Sequence, residues 1–571
     1  MTWRDRNASR PPDWRVGLPS GGAGRGTLAC VPTPGGPRPT HVRARTVAAV
    51  AQRVGAALAG ADPAVEVTGT TLSSRTVRPG DLYAALPGQR AHGADYAQAA
   101  CAAGAVALLT DPQGAARCAQ TGRPVLVVPD PRAVLGDLAA WLYGTPGERL
   151  LTLGVTGTNG KTTTTFHLDA ALRAAGRTTG LIGTVEIRFA GQRLPSTGTT
   201  PEAPDLHALL AVMLEHGVDA CAMEISSHAL AQHRTDGLVV DVAGFTNLSQ
   251  DHLDYHHTLE DYFAAKALLF TPRYARRAVV CVDDEWGRRL AALVGTAPGQ
   301  ARLPVVTVSA RTSAAGPSPA AGHSPAAGHP PAAGHPPADW QVTGTRLVDG
   351  LPVADLSGPE GIRLELACPL PGDFNVANSV LALAMLVEAG LDAEHAARSL
   401  AQAGPVPGRM ERVAGPDPGG APLAIVDYAH TPDAVAAAVG ALRGSGRPLV
   451  VVLGAGGDRD TEKRPLMGRA AAAAADVVIV TDDNPRSENP TAIRAAVLAG
   501  ARSVSSAEVL EVADRREAIT EAVARAWGHG SGVVLVAGKG HEQGQDVAGI
   551  VHPFDDRVVL REALRAAVVR S

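Results

Sequence analysis

The stretch "GVTGTNGKTTTT", residues 154–165, decides the reading of this chain. A short apolar run, "LLTL" at 150–153, leads into it, and "FHLDAALRAAG" at 166–176 follows. That order predicts a strand, a glycine-rich turn and a helix that ends at Gly176. Backbone N–H groups at a helix N-terminus, aided by the helix dipole, attract phosphate. Gly157 and Gly160 let the backbone come close, Lys161 can neutralise the outer phosphates, and the Thr162 hydroxyl can ligate Mg²⁺. Nucleotide contacts are therefore expected along Gly154, Thr156, Gly157, Thr158, Asn159, Gly160, Lys161, Thr162 and Thr163. The spacing is unusual. The common phosphate loop has a glycine five residues before the glycine that precedes lysine, and here that position is Val155. A purely structural turn would explain the glycines but not the Lys–Thr pair at the helix start.

With 571 residues, the chain exceeds a single core and is expected to form several domains. Its net charge of −4 argues against a nucleic-acid surface. No apolar run approaches a membrane span, and the first residues, "MTWRDRNASRPPDW", lack the apolar core of a signal peptide, so a cytoplasmic protein is expected. Six scattered cysteines form no CxxC pair and suggest neither zinc nor a disulfide frame.

The basic residues are lopsided: four lysines, Lys161, Lys266, Lys463 and Lys539, stand against 48 arginines. Where a generic cation suffices the chain uses arginine. The lysines are thus candidates for places that need a compact point charge or a reactive amine. Codon bias with chance survivors is the bland alternative. Lys266, in "YFAAKALLF", is expected mid-helix among apolar neighbours, where it either snorkels or carries amine chemistry. A desolvated neutral amine can take up CO₂ and become a carbamate, which is a carboxylate-like metal ligand.

Residues 1–40, rich in Pro, Gly and Arg, read as a disordered tail. A six-residue repeat at 314–337, "AAGPSPAAGHSPAAGHPPAAGHPP", reads as an irregular insertion; its Pro and Gly cannot pack. Elsewhere strands alternate with helices. This predicts an α/β chain of three domains: a small one at 41–146, a central one at 147–406 with a mostly parallel sheet, and a Rossmann-like one at 407–571. "PLVVVLGAGGDRD", "ADVVIVTDDNPR" and "GVVLVAGKGHE" are apolar runs that open into polar loops. Such loops, at the carboxyl ends of parallel strands, are where ligands bind. Glu224, at the end of "DACAME", is a candidate Mg²⁺ ligand, and His252 lies in a dense polar loop.

"GVTGTNGKTTTT", "MEISSHALAQHR", "FTNLSQDHLDYH", "AAKALLF", "DYAHTPDA", "GGDRDTEKRPLMG", "TDDNPRSENP" and "AGKGHEQGQ" occur in this order. From about residue 70 to 557 the chain resembles the Mur ligases, in particular the member that adds the third peptide residue to the peptidoglycan precursor. The resemblance explains the loop spacing, since these ligases share "TGTNGKT". It implies that residues 154–165 hold ATP, that Glu224, His252 and a carbamylated Lys266 join Thr162 around Mg²⁺, and that Lys161, Glu224, His252 and Lys266 are the catalytic set. Asn375 and Asn378 look like contacts on the adenine side, and Arg409, Asp427 and His430 like contacts from the third domain. The uridine nucleotide is implied at Leu72, Ser74, Gln89, Arg90 and Ala91, and the muramoyl dipeptide at Thr199, Thr200, Ser226, Gln232 and Arg234. A "DSR" of many relatives is "SSR" here, at Ser73–Arg75, and an asparagine that often precedes the paired threonines is Gly198. The amine substrate, diaminopimelate, is implied at Arg459, Asp483, Asn484, Pro485, Arg486, Gly538 and Glu542. The implied reaction is ATP-dependent amide formation through an acyl phosphate, on small-molecule substrates and as a monomer. A folylpolyglutamate synthetase shares the loop and the plan but lacks "DNPR" and "SSHALAQHR". A nucleotide switch would need a guanine-reading NKxD, and no Asn–Lys pair occurs.

Overall fold

The computed structural model describes residues 36–59, 62–88, 90–196, 198–296, 302–312, 337–415, 421–444, 446–528 and 532–570. The repeat, apart from its last residue, and Gln89 lie outside the described residues, as do residues 1–35.

Among the described residues, three large sheets carry the chain, with two two-stranded ribbons beside them. The first has five strands in the order Ala57–Ala59, Val125–Val127, Ala107–Thr110, Asp81–Ala85, Gly69–Thr71, all parallel but the first. The second has eleven strands. At its heart Leu151–Thr156 lies between Ala220–Glu224 and Val242–Phe245, parallel to both. Thr179–Ile182, Ala278–Cys281, Val305–Ser309 and Trp340–Val348 extend the parallel part, and antiparallel hairpins close each edge. The third runs Glu411–Val413, Leu423–Asp427, Val533–Ala537, Leu449–Leu453, Val477–Val480, Glu508–Glu511, parallel except at Glu411–Val413. The parallel strands read as continuous Val, Leu and Ile because helices cover both faces. Val533–Ala537 is buried at every position.

The helix Lys161–Ala174 begins with four threonines in a row after its lysine, all buried. β-Branched residues are poor helix formers, but Thr165 returns its hydroxyl to Lys161 O at 3.0 Å and Thr162 O at 2.9 Å. Gly176 stands just past the end with φ 83°, the left-handed stop that glycine favours.

Two expectations change. The tail was drawn to residue 40, yet Arg38 donates to Thr70 O at 2.6 Å and lies 3.8 Å from Asp81. Thr40 N and His41 N donate to Glu215 at 2.9 and 2.8 Å, so residues 36–41 are pinned across the first and second sheets' units. Lys266 lies later in its helix than expected: it is the penultimate residue of Leu259–Ala267, and a 3₁₀ turn, Leu268–Phe270, carries the run on. Among the described residues, no helix is long and apolar enough to cross a membrane.

Candidate active site

The phosphate loop bridges the end of Leu151–Thr156 and the start of Lys161–Ala174. Its neighbours brace it. Thr158 N donates to Asn247 O at 2.9 Å, Asn159 N to Asn247 Oδ1 at 2.9 Å, and the Thr246 hydroxyl to Asn159 O at 2.6 Å. Gly157 has φ 144°, and a Cβ there would stand 1.8 Å from Thr246 Oγ1. Gly160 has φ 88°, and its Cβ would stand 2.3 Å from Asn378 Oδ1. Both glycines are thus required by close approach. Gly154 lies within the strand, where a Cβ would meet Ile225 Cδ1 at 2.7 Å.

Lys161 Nζ donates to Gly157 O and Thr158 O, both at 2.9 Å. Lys266 Nζ donates to the same Gly157 O at 2.8 Å and lies 4.4 Å from the Tyr262 ring centre. Burial, then the charge of Lys161, holds the Lys266 amine well below the usual lysine range. Burial also lowers Lys161, against the pull of Glu224 and Asp251. Glu224 is wholly buried at its strand end and accepts from Thr184 N at 2.8 Å and the Thr184 hydroxyl at 3.1 Å. His252 heads the short helix Leu253–His256 with φ 55°. Burial pushes its pKa down to about 3 despite Asp251, so the ring is neutral, as a metal ligand must be.

A cavity of about 410 Å³ opens beside these groups, within the range for a small-molecule site. It collects Thr158–Thr163, Thr199, Glu224 and His252, with Asn375, Asn378, Arg409, Asp427 and His430 on the facing wall. Lys266 lies behind the loop rather than in the lining. Arg409 reaches over from the third sheet's unit: its Nη2 donates to the Thr162 hydroxyl at 3.0 Å and its guanidinium covers the Tyr428 ring at 4.3 Å. Asp427 accepts from Met410 N at 2.7 Å, and burial raises its pKa against the Arg409 charge.

Sequence reasoning missed Asp251. Its carboxylate meets Lys463 Nζ at 3.2 Å, His252 Nε2 at 3.5 Å and His430 Nε2 at 3.7 Å. Burial alone would raise its pKa; the His430 hydrogen bond, the pull of the two imidazoles beside it and the Lys463 charge outweigh that and hold it well below the carboxylate range. The QDH run is a weak local signal, and the partners are distant in sequence.

The dipeptide candidates form one network. The Thr200 hydroxyl donates to Glu224 O at 2.9 Å and accepts from Ser226 N at 3.0 Å, Arg234 reaches Gln232 Oε1 at 2.6 Å and Thr200 O at 3.3 Å, and Thr199 meets Thr184 at 3.1 Å. Two unforeseen residues join it: Glu202 accepts from Arg234 at 3.0 Å and from Arg132, of the first domain, at 3.2 Å. In the first sheet's unit, Leu72 and Ser74 follow the strand Gly69–Thr71, while Arg90 and Ala91 are exposed on a loop closed by Gly88 N to Ala91 O at 3.2 Å.

The amine-side candidates lie on adjoining strand-end loops. Arg486 has φ 50°, a conformation held by Arg486 N to Asp546 O at 3.0 Å and Ala548 N to Arg486 O at 2.7 Å. Its Nη1 donates to Gly457 O at 2.5 Å, which ties it to the loop that carries exposed Arg459. Asp483, Asn484 and Pro485 are buried beside it; Asn484 donates to Glu542 at 2.8 Å. Gly538 has φ 116°, and a Cβ there would stand 2.4 Å from Asp483 Oδ2.

Three family models match the chain: the Mur ligase family catalytic domain over residues 66–143, the Mur ligase middle domain over 155–386, and the Mur ligase glutamate ligase domain over 408–540. The chain belongs to the Mur ligase family. This Mur ligase is 52% identical over 536 residues to the UDP-N-acetylmuramoyl-L-alanyl-D-glutamate–2,6-diaminopimelate ligase of Streptomyces avermitilis, covering 93% of this chain and 99% of that one. It is 46% identical over 543 residues to the UDP-N-acetylmuramyl-tripeptide synthetase of Leifsonia xyli subsp. xyli, covering 94% and 99%. A solved structure of a UDP-N-acetylmuramoyl-L-alanyl-D-glutamate–2,6-diaminopimelate ligase is similar at a TM-score of 0.58 and 32% identity, over 88% of this chain and 96% of that chain.

Proposed function

We propose that this Mur ligase joins 2,6-diaminopimelate to the γ-carboxylate of D-glutamate in UDP-N-acetylmuramoyl-L-alanyl-D-glutamate, with ATP as co-substrate, in the cytoplasm and as a monomer. The observation that carries the reading is the Asp483–Asn484–Glu542 cluster beside Arg486, its first two members buried and Glu542 half-buried, in a chain 52% identical to a ligase of that name. The glutamate carboxylate attacks the γ-phosphoryl group in line, ADP leaves, and an acyl phosphate forms. The amine of diaminopimelate then attacks the acyl carbon, phosphate leaves and the nitrogen loses a proton.

Two anions meet in the first step, so charge neutralisation and positioning are the main tasks. Lys161 and the helix N-terminus hold the transferring phosphoryl group, with Gly157–Thr163 around the phosphates. Asn375 and Asn378 face the adenine side, and Arg409, Asp427 and His430 close over the nucleotide. Thr199, Thr200, Ser226, Gln232 and Arg234 orient the dipeptide, and Leu72, Ser74 and the Arg90–Ala91 loop the uridine. Arg486 and Arg459 bind the distal carboxylate, and Asp483 and Glu542 the ammonium.

The donor set suits Mg²⁺. Among the described residues, no three His, Cys, Asp or Glu side chains converge on a metal by themselves. Mg²⁺ commonly takes one or two carboxylates and completes its shell from water and substrate phosphates. Thr162, Glu224, His252 and carbamylated Lys266 would hold it, and it would screen the charge between carboxylate and phosphate. The Lys266 amine, kept neutral by burial, adds CO₂ and releases one proton to become N6-carboxylysine.

The test is phosphate release with the nucleotide dipeptide and ATP, with meso- and LL-diaminopimelate and L-lysine supplied in turn. Release that needs no dipeptide, or that follows lysine as readily as diaminopimelate, would count against the reading.

A further inference from the structure

Lys539 is fully buried, although its loop leaves a strand end. Its Nζ lies 3.0 Å from Asn484 Oδ1 and 3.3 Å from Glu542 Oε2. Asn484 Nδ2 donates to that same Glu542 oxygen at 2.8 Å, and Asn484 Oδ1 also accepts from Asp546 N at 3.0 Å. An ammonium and a backbone N–H can only donate. The Asn484 atom that meets both must therefore be oxygen, and the amide has one orientation. Gly540, next to Lys539, has φ 54°, and a Cβ there would stand 2.7 Å from Tyr428 Cβ, so the loop is wedged in place.

We propose that Lys539 is a positioning residue for the amine substrate, acting through Asn484 and Glu542. The inference rests on the reading of this cluster as the diaminopimelate subsite. The triangle uses Glu542 Oε2 and one N–H of Asn484. Glu542 Oε1 then remains for a substrate ammonium and the second Asn484 N–H for a substrate carboxylate. Together they suit the two ends of an amino-acid group. Without Lys539 the amide oxygen keeps only the Asp546 N–H to hold its orientation, and Glu542 loses its buried counter-charge. Arginine would not serve, because a planar fork places several donors where one point charge is wanted. That accounts for a lysine here in a chain with 48 arginines.

The experiment is steady-state kinetics on the full chain, wild type against Lys539→Met and Lys539→Gln, varying diaminopimelate, ATP and the nucleotide dipeptide in turn, with melting temperatures alongside. Lys539→Met is expected to raise the KM for diaminopimelate at least about ten-fold, the loss of one charge-assisted hydrogen-bond set. The KM for ATP and for the dipeptide should stay within about two-fold, since those ligands lie elsewhere. Lys539→Gln, which keeps an N–H donor without the charge, should fall between, with a rise of about three-fold or more. If the methionine variant does not fold, the glutamine variant makes the same comparison. A folded variant whose diaminopimelate KM is unchanged, or whose three KM values rise alike, overturns the proposal, as does failure of both variants to fold. A wild type that adds no diaminopimelate would instead overturn the reading beneath it.

Discussion

Lys161 and Lys266 share one acceptor: both Nζ atoms point at Gly157 O, at 2.9 and 2.8 Å. Two amines converge on one carbonyl at the phosphate loop, and the Lys161 charge, added to burial, makes Lys266 harder to charge. Converting Lys266 to a carbamate replaces that repulsion with attraction.

Lys266→Ala should therefore lose most activity, by about a hundred-fold or more in kcat/KM, the scale of one removed electrostatic group. Lys266→Arg should not restore it, because guanidinium stays charged and takes up no CO₂. A small carboxylate added to the alanine variant should recover part of the rate. Near-normal turnover by Lys266→Arg would end the carbamate reading.

Arg486→Ala should raise the KM for diaminopimelate about ten- to a hundred-fold, since charge-assisted pairs contribute roughly 1.5–3 kcal/mol. The KM for ATP should barely move. Wild type should use L-lysine poorly, because lysine lacks the distal carboxylate and leaves Arg486 without its anion. A side-by-side assay of both amines on both proteins decides it; an effect confined to ATP would remove Arg486 from the amine site.

Much of this site was legible before the fold was known. The phosphate loop, the strand end of Glu224 and the 483–486 loop announce themselves as apolar runs that open into polar turns, while Asp427 comes only through the family resemblance. Local pattern cannot show who meets whom across the chain. Asp251 and Lys463 are 212 residues apart, and nothing in either neighbourhood names the other. Glu202 joins Arg132 to Arg234 only once two domains are in place. Arg38 was hidden in a Pro- and Gly-rich stretch whose anchors, one arginine side chain and two backbone N–H groups, have partners distant in sequence.

Asp251 and Lys463 join the central and third units, with both side chains 8% exposed. Breaking such a pair strands a buried charge, which costs about 3–5 kcal/mol if the groups stay buried. The cheaper relaxation is for the two units to part. Lys463→Met and Asp251→Asn should each lower turnover by about ten-fold or more and enlarge the radius of gyration in solution scattering, and the double variant should be little worse than either single one. Additive losses with unchanged scattering would show that the pair does not hold the units together.

His167 predicts an acid sensitivity. The ring is fully buried, neither nitrogen has a partner, and burial lowers its pKa to about 4 from 6.5. The unfolded chain takes the proton first as pH falls, so this contribution is complete above pH 6.5 and lost progressively toward pH 4. The full swing is about 3 kcal/mol. His167→Phe, if it packs, should flatten the fall of melting temperature between those pH values; an equal slope in both proteins would remove His167 as its source.

The placing of the four lysines has a chemical corollary. Lys266, Lys463 and Lys539 are buried, and Lys161 is folded onto its own loop. No lysine is spread over the described surface. Amine-directed reagents, which on most proteins decorate the exterior at random, would here be turned inward. Acylation, reductive alkylation or an activated-ester crosslinker would read out access to the catalytic and amine-binding clefts. A mild aldehyde or sulfonyl fluoride carried on a nucleotide-like scaffold would find Lys161 with little competition from elsewhere on the molecule.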